Sequence, residues 1–496
     1  MFENYTWSAC AEQVNKAFEW QLQKGSISVA APGSVEPVPD DMPPSSTDSS
    51  IQIPSKRWKA GIGMADSQLL RAEEEMVPFD PARQPDLDIL NEWIDDKQRP
   101  LAIRLITGAG GLGKTRLALE LCHQRLATGW KAGMLKTELE AKDMSNGWQV
   151  LQKLDKPILI VIDYAETRQS VLLALIKAMP QPEKLTQPVR VLLLARDGGE
   201  WWDNLPSKDR ECELLLSGYA TTGPFSLPAL HNTEQDREQA YKQALHCFAE
   251  ALGVTAPDIT PKLSDEHFGR PLYLQIAALL ALYGESPTSA EGLTKALLNH
   301  ERRYWRGLLS NVIPAEPEQY AQQLLALATL AGGFARPKDA SSYWSQAYGQ
   351  NLGGAEFNSL FRALAQLYPG KQGLQAVRPD LLGEALVSNA LLQPESANLL
   401  DAVMGSSSTQ VIRRNAMTIL ARLSSYRMDL HESLVEALAR NFSNCAQDLV
   451  AVAIETSGLM PALAEIAFNR LTPDYKSRVA GLLRPLILEE SVQLAR

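Results

Sequence analysis

The chain has 496 residues, enough for about three domains, and 45% of its residues are hydrophobic, which suffices for buried cores. Its formal net charge of −10 at pH 7 argues against non-specific binding of nucleic acid over the whole surface, although a single basic patch is compatible with it. Scattered cysteines without a CxxC pair predict free thiols and no zinc site, and the chain shows neither a membrane-spanning run nor a signal-peptide pattern, so we expect a cytoplasmic protein without membrane contact.

The N-terminal segment, residues 1–24, predicts an amphipathic helix. Its apolar residues recur at steps of three or four: Trp7, Ala11, Val14, Phe18 and Leu22. A lone helix of this length cannot bury its own stripe, so it either docks on a partner or effector or folds back onto the main body. Residues 25–60 are rich in proline, serine and acidic residues and predict an unfolded linker.

Short helices are predicted at 65–76 and 87–93, with a break at 77–83. This entry segment either covers the base of a bound nucleotide or packs against the domain edge. The stretch that follows, residues 101–121, consists of an apolar strand, a glycine-rich loop and a helix. The loop and the residue after it read Gly108, Ala109, Gly110, Gly111, Leu112, Gly113, Lys114, Thr115, Arg116.

The G-x-x-x-x-G-K-T spacing is typical of a phosphate-binding loop. Glycines let successive backbone N–H groups approach phosphates at the N-terminus of the following helix. Lys114 would bridge the β- and γ-phosphates of a nucleotide, and the Thr115 hydroxyl would complete the shell of a Mg²⁺ ion.

Strands and helices alternate after the loop. Strands are predicted at 132–137, 157–163, 189–196 and 223–227, and a helix at 148–154. This βαβ succession predicts a doubly wound, mostly parallel sheet that binds ligands at the carboxyl ends of its strands.

Charged residues follow the predicted central strands. Asp163 ends the most apolar strand and can hold Mg²⁺, and Glu166 can polarise an attacking water. Arg196 ends the next strand, where its guanidinium can sense a γ-phosphate. Each residue also has a structural interpretation, as a helix cap, a first-turn charge or a surface ion pair respectively. Lys114, Asp163, Glu166 and Arg196 form the predicted catalytic set. The predicted metal ligands are Thr115 and Asp163.

Beyond residue 230 the pattern is helical. Helices are predicted at 232–251, 271–283, 294–309 and 318–330, and residues 399–471 predict stacked helical pairs.

These motifs together resemble the STAND class of signal-transduction ATPases, which includes the NACHT and NB-ARC types. The resemblance covers about residues 65–395 and lies in the phosphate loop, the ILIVID block before Tyr164, the LLLAR block and Gly269-Arg270-Pro271. It implies an AAA-like, ASCE-type P-loop domain that binds ATP or ADP with Mg²⁺, followed by all-α domains. The implied domains are the P-loop domain at 61–230, a small helical domain at 231–298, a winged-helix domain at 299–395 and a helical-hairpin C-terminal region at 396–496.

The resemblance also implies roles for single residues. Pro271 would lie against the adenine, and Arg196 would act as sensor 1. The segment from Val77 to Arg83 is similar to the segment that precedes the nucleotide-binding domain in bacterial members. Val77 and Arg83 would therefore bind the base, although Ala82 replaces the usual glycine.

A second similarity lies further along the chain, at Arg378-Pro379-Asp380. It is similar to a winged-helix motif that often reads Met-His-Asp and senses the β-phosphate of ADP. Pro379 stands where the histidine would be.

Three functions remain open from the sequence. The first is an ATP/ADP-operated switch in bacterial signalling or antiphage defence, which forms homo-oligomers through its nucleotide-binding domains and meets a trigger or effector protein through the N-terminal helix or the C-terminal region. The second is a remodelling ATPase that turns over continuously, with Arg168 as its candidate arginine finger. The third is a winged-helix transcription regulator, whose basic recognition helix would have to use Arg302, Arg303 and Arg306 or Arg413 and Arg414.

Overall fold

The computed structural model describes residues 50–490. Within that range, the description leaves out residues 55, 57–64, 138, 209–211, 215, 217–222, 310–312, 314–315, 350–351, 371–372 and 457–458. The predicted helix at 1–24 lies outside the described residues, as does most of the predicted linker at 25–60.

The strands of the described residues form one mixed sheet. They are β1 (Ile51–Gln52), β2 (Leu101–Thr107), β3 (Lys131–Leu135), β4 (Ile158–Ile162), β5 (Val189–Leu194) and β6 (Phe225–Ser226). Their order across the sheet is β1-β3-β4-β5-β2-β6, and every neighbouring pair is parallel except β1 with β3. The predicted, mostly parallel α/β sheet is therefore confirmed. β5 lies between the strand that enters the phosphate loop and the strand that precedes Asp163.

Helices cover both faces of this sheet. They are α2 (Gln84–Ile94), α3 (Lys114–Ala127), α4 (Met144–Gln152), α5 (Gln169–Ala178) and α6 (Gly199–Asp203). The preceding helix α1 (Asp66–Leu69) packs instead into the core of the helices that follow residue 230. In β4, Ile160 packs into the core that α4, α5 and α6 share, whereas Leu159 and Val161 pack into the core of α2 and α3. A strand that is buried on both faces reads as a continuous apolar run, which explains the residues of β4.

Two elements differ from the sequence prediction. Ile51 and Gln52 belong to β1 and not to a linker, because Ile51 is buried in the sheet core and pairs with Leu135. Gly133 makes room for β1, since a Cβ there would lie 2.9 Å from the Gln52 backbone. The helix predicted at 65–76 is broken into α1 and a 3₁₀ turn at Ala72–Glu74, because the backbone of Arg71 is extended.

Most of the described residues beyond 230 are helical. The first of these helices are α7 (Glu234–Leu252), α8 (Pro271–Leu282), α9 (Ala290–Leu309), α10 (Pro317–Ala331), α11 (Pro337–Tyr348), α12 (Gly354–Leu367) and α13 (Asp380–Leu391). α10 is buried along most of its length by neighbours that include α9 and α13. Short antiparallel bridges join Leu374 to Phe334 and Pro369. The winged-helix assignment of this region stays a prediction.

The described part of the C-terminal region (396–496) folds back onto the sheet. Its helices are α14 (Leu399–Met404), α15 (Gln410–Ser424), α16 (His431–Glu455), α17 (Met460–Asn469) and α18 (Pro473–Glu490). α16 packs against α15, α17 and α18, and its Val450 and Ile454 also join the core that contains Trp201 of α6. In the part of the chain that the structure describes, no helix is long and apolar enough to cross a membrane.

Candidate functional site

The phosphate loop connects β2 to α3. Gly111 and Gly113 have φ values of +83° and +89°, a conformation that glycine adopts without steric cost. α3 begins at Lys114, so the N-terminus of this helix faces the loop. The Lys114 ammonium donates hydrogen bonds to the carbonyl of Gly108 and, over 3.2 Å, to that of Ala109. The lysine is therefore folded over the concave side of its own loop.

A hydroxyl and a carboxylate meet where the loop faces the end of β4. Thr115 Oγ1 donates to Asp163 Oδ2 over 3.0 Å, and Asp163 Oδ1 accepts from the backbone N–H of Tyr164 over 2.9 Å. Burial raises the pKa of Asp163, and its hydrogen bond from Thr115 opposes that shift. These two oxygen ligands fit Mg²⁺, which prefers oxygen donors and keeps several of its waters.

Glu166 lies in the turn that follows β4 and is almost fully buried. Its Oε1 accepts from the backbone N–H of Arg196 over 3.5 Å and lies 3.7 Å from Nη2 of Arg422. Its Oε2 is buried and has no hydrogen-bond partner among the described residues. Burial raises the pKa of Glu166, and the positive charge of Arg422 is the largest opposing effect.

Arg196, just beyond β5, lies beside the phosphate loop. Its Nη2 is 3.5 Å from the position that a Cβ on Gly110 would take. The same nitrogen forms ion pairs with Asp380 Oδ2 at 3.2 Å and with Glu384 Oε1 at 2.6 Å. Burial alone would lower the pKa of Arg196, but Glu384 and Asp380 raise it above its ordinary value. The predicted γ-phosphate sensor is thus paired with two carboxylates from α13.

Asp380 is the first residue of α13 and lies at the centre of this network. Its Oδ1 accepts from the hydroxyl of Tyr164 over 2.9 Å, and its Oδ2 pairs with Arg196 and, at 3.1 Å, with Arg422. Burial would raise the pKa of Asp380, but Arg422, Arg196 and Arg378 together hold it at about 2. The carboxylate is therefore firmly ionised, which favours a lasting contact between α13 and the sheet.

The residues predicted to bind the base line the same cleft as the phosphate loop. This cleft has a volume of about 250 Å³ and is lined by Val77, Arg83, Pro271 and the residues from Gly110 to Arg116, as well as by Asp163, Glu166, Arg196 and Asp380. The α8 helix is fixed to the loop, because the N–H of Leu272 donates to the carbonyl of Gly111 over 3.3 Å. The structure thus brings the predicted phosphate, metal and base residues to one cleft.

Arg83 and Arg116 already have protein partners in this cleft. Arg83 is buried and donates to the carbonyls of Leu112 at 2.9 Å and Pro228 at 3.0 Å. Arg116 lies 3.3 Å from Glu75. Both guanidinium groups are thus engaged with the loop or the entry segment, and direct contact of Arg83 with the base stays a prediction.

Several residues of the network are not predicted from the sequence. Tyr164, which directly follows Asp163, has a left-handed φ of +55°. The guanidinium groups of Arg378 and Arg422 lie 5.7 and 5.9 Å from the centre of its ring. Arg422 and Tyr426 carry no sequence signal of this kind, because they come from the C-terminal region. The Tyr426 hydroxyl donates to Glu384 Oε2 over 3.1 Å.

The residues behind the other two functions are engaged elsewhere. Arg168, the candidate arginine finger, donates to the carbonyl of Lys136 over 2.9 Å within its own chain. The arginines of the two candidate DNA-binding clusters mostly face carboxylates: Arg303 pairs with Glu285, Arg306 with Glu318, and both Arg413 and Arg414 with the buried Asp448. Arg302 donates to Gln322.

The strand order, the phosphate loop after β2 and the carboxylate after β4 define an α/β P-loop fold of the ASCE type, in which an additional strand, here β5, separates these two strands. No protein-family model matches the sequence. No curated protein matches it either.

Among solved structures, the chain is similar to ORC1 of Aeropyrum pernix in complex with DNA, with 14% identity over 65% of this chain and 96% of that chain, and a TM-score of 0.29. It is similar to Cdc6p of Pyrobaculum aerophilum, with 12% identity over 65% and 97% of the two chains and a TM-score of 0.30. It is also similar to PCH-2 of C. elegans, with 17% identity over 51% of this chain and 66% of that chain, and a TM-score of 0.24. TM-scores this low do not indicate a shared overall fold.

Proposed function

We propose that this chain is a Mg²⁺-dependent P-loop ATPase that works as a nucleotide-operated switch. The observation that carries the proposal is the position of Arg196, which lies beside the phosphate loop and is paired with Asp380 and Glu384 of α13. The residue best placed to contact a γ-phosphate therefore also holds the helical domains on the nucleotide site.

Each polar residue of the cleft has a role in this proposal. Lys114 and the loop N–H groups bind the phosphates, and Thr115 with Asp163 would hold Mg²⁺, which neutralises phosphate charge when bound. Glu166 accepts a proton from the attacking water, since its Oε2 has no other partner among the described residues. These residues need only orient a water and stabilise charge, so slow hydrolysis is sufficient for a switch.

The switching step follows from competition between anions. The γ-phosphate of ATP would offer Arg196 an alternative to the carboxylates of Asp380 and Glu384, whereas ADP has no such group. ATP would thus weaken the contact of α13 with the sheet, and ADP would leave it intact. Release of the helical domains would free the P-loop domains to form homo-oligomers, in bacterial signalling or antiphage defence, after a trigger protein acts on the N-terminal helix or the C-terminal region.

The nucleotide site is tested by Lys114→Ala. We expect the affinity for ATP and ADP to fall roughly a hundredfold, because a buried charged contact to phosphate is lost. Calorimetric titration of the purified chain measures the change. The matched control is Lys142→Ala, which removes a lysine that is 75% exposed and lies outside the cleft. Equal affinities for Lys114→Ala and the wild type would refute the proposal.

The switch itself is tested by the bound nucleotide and by mass in solution. We expect the purified chain to carry ADP, to hydrolyse ATP slowly and to gain mass in light scattering after ATP is added. Rapid, steady turnover at constant mass would instead support the remodelling function. A chain that neither binds nucleotide nor changes its mass would exclude both.

A further inference from the structure

Arg422 reaches the nucleotide site from outside the predicted P-loop and winged-helix domains. It lies in the last turn of α15 in the C-terminal region, and its side chain is only 12% exposed. Its guanidinium lies 3.7 Å from Glu166 Oε1 and 3.1 Å from Asp380 Oδ2. Arg422 does not line the cleft, so it acts behind the residues that do.

Glu166 has few other sources of positive charge. The charged groups that interact with it include Lys114 from α3, Asp163 from the end of β4, Arg422 from α15 and Glu455 from α16, and the backbone N–H of Arg196 contacts its Oε1. Two of these are acidic and favour protonation of Glu166, and Lys114 is needed by the phosphates. A buried carboxylate without a cation nearby takes up a proton, and a protonated Glu166 cannot accept one from water.

We propose that Arg422 is a positioning residue that holds Glu166 oriented and ionised for activation of the attacking water, so that the hydrolytic site is complete only when the C-terminal region is docked. The inference rests on the proposed ATPase function and adds to it a residue and a dependence on the C-terminal region. The positive charge of Arg422 lies 3.7 Å from Oε1 of Glu166, and the unpartnered Oε2 is left to accept the proton.

This arrangement joins hydrolysis to closure of the chain. α15 packs against α10 and α13, and α16 holds the C-terminal region on the sheet through Val450 and Ile454. ATP that binds while the region is docked is hydrolysed, and ATP that binds after its release persists. The docked form therefore returns itself to the ADP state, and the released form keeps its triphosphate.

The test compares Arg422→Gln, Arg422→Lys and wild type in the full-length chain, by single-turnover ATP hydrolysis and by ATP titration. In Arg422→Gln we expect the hydrolysis rate to fall about tenfold, less than the roughly hundredfold loss of a general base itself, while the dissociation constant for ATP stays within about twofold. The acidic limb of the rate profile should move to higher pH, because removal of the cation raises the pKa of Glu166. Arg422→Lys should keep the wild-type pH profile at an intermediate rate.

The control is Arg427→Gln, which breaks a nearby ion pair with Asp429 outside the cleft. It should leave the rate and the pH profile unchanged. An Arg422→Gln rate that is unchanged or raised, or a pH profile that does not move, overturns the inference and leaves the ATPase proposal standing. A wild-type chain that does not bind or hydrolyse ATP removes the ATPase proposal and the inference together. If Arg422→Gln does not fold, the Arg422→Lys variant tests the inference instead. A wild-type hydrolysis rate in Arg422→Lys would show that the guanidinium group is not needed.

Discussion

Lys114 shows how burial acts on a single residue of the site. Removal from water lowers the pKa of this lysine to about 8, although the charge of Asp163 opposes the shift. An ammonium group must be protonated to pair with phosphate, and at pH 7 most Lys114 side chains still are. The pKa of Lys114 lies only about one unit above neutral pH, so nucleotide binding should depend on pH within an accessible range.

We expect the affinity for ATP to be flat below pH 7 and to fall above pH 8, by at most about tenfold per pH unit, because binding must then first protonate Lys114. Titrations between pH 6.5 and about 9.5 measure the profile. In Lys114→Arg the guanidinium stays charged over this range, so its profile should be flatter. A wild-type affinity that is constant up to pH 9 would show that Lys114 is not the titrating group.

Gly111 tests the backbone of the phosphate loop. Its φ is +83°, and a Cβ there would lie 3.2 Å from Leu272 and 3.3 Å from Leu381. We expect Gly111→Ala to lower nucleotide affinity about tenfold and to cost about 1 kcal/mol of stability, because strain and crowding both distort the loop. Gly129→Ala is the matched control, since its φ is +90° but nothing lies within 4 Å. Gly129→Ala should lose stability without losing affinity for nucleotide. Equal nucleotide affinities for Gly111→Ala and Gly129→Ala would show that crowding at Gly111 does not affect binding.

At the scale of the element, the sequence correctly predicts the helices and strands whose formation depends on local residue patterns. The strand into the phosphate loop, the apolar β4 and the long α7 follow from periodicity and caps, so their positions agree with the prediction within a few residues. β1 was not predictable in this way, because two residues carry no period and depend on Gly133 across the sheet. Arg422 was not predictable either, since its approach to Glu166 depends on how α15 docks.

The short α1 is fixed to the helical region by two acids, the half-buried Asp66 and the buried Glu301. The Asp66 carboxylate accepts from the Tyr283 hydroxyl over 2.8 Å, and Glu301 accepts from the N–H of Ser67 over 2.7 Å. Burial, reinforced by the negative charge of Glu301, raises the pKa of Asp66 to about 7. The folded state therefore binds a proton on Asp66 that the unfolded chain releases near pH 4, and stability must fall as pH rises from about 4 to 7.

Asp66→Asn removes this titration and keeps an oxygen for Tyr283. At pH 8 we expect it to raise the free energy of unfolding by on the order of 1–3 kcal/mol, and at pH 4 to change it little, since Asp66 is then neutral when folded. Urea unfolding at both pH values measures the difference. Asp429→Asn, which alters an exposed acid, should show no such dependence on pH. The same gain for Asp66→Asn at both pH values would mean that the carboxylate is ionised when folded.

At the scale of the whole molecule, the described part of the C-terminal region returns to the sheet and to the nucleotide site. The C-terminal region contacts the sheet core through α16 and the nucleotide site through Arg422. The contact of α16 is apolar and that of Arg422 is ionic. A bound nucleotide can therefore change the ionic contact while the apolar contact still holds the C-terminal region on the sheet. A nucleotide signal could in this way alter the site before the molecule opens.

The apolar contact is open to a direct test. Ile454 is 5% exposed in the core shared with Trp201, so Ile454→Asp removes about 2 kcal/mol of apolar burial and adds the cost of burying a carboxylate. We expect the C-terminal region to undock, the radius of gyration in X-ray scattering to rise and hydrolysis to fall as in Arg422→Gln, with ATP affinity retained. Ile466→Asp changes an isoleucine that is 46% exposed on α17 and should alter none of these quantities. If Ile454→Asp expands the molecule without slowing hydrolysis, Glu166 does not depend on the docked region, and the coupling between closure and catalysis is wrong.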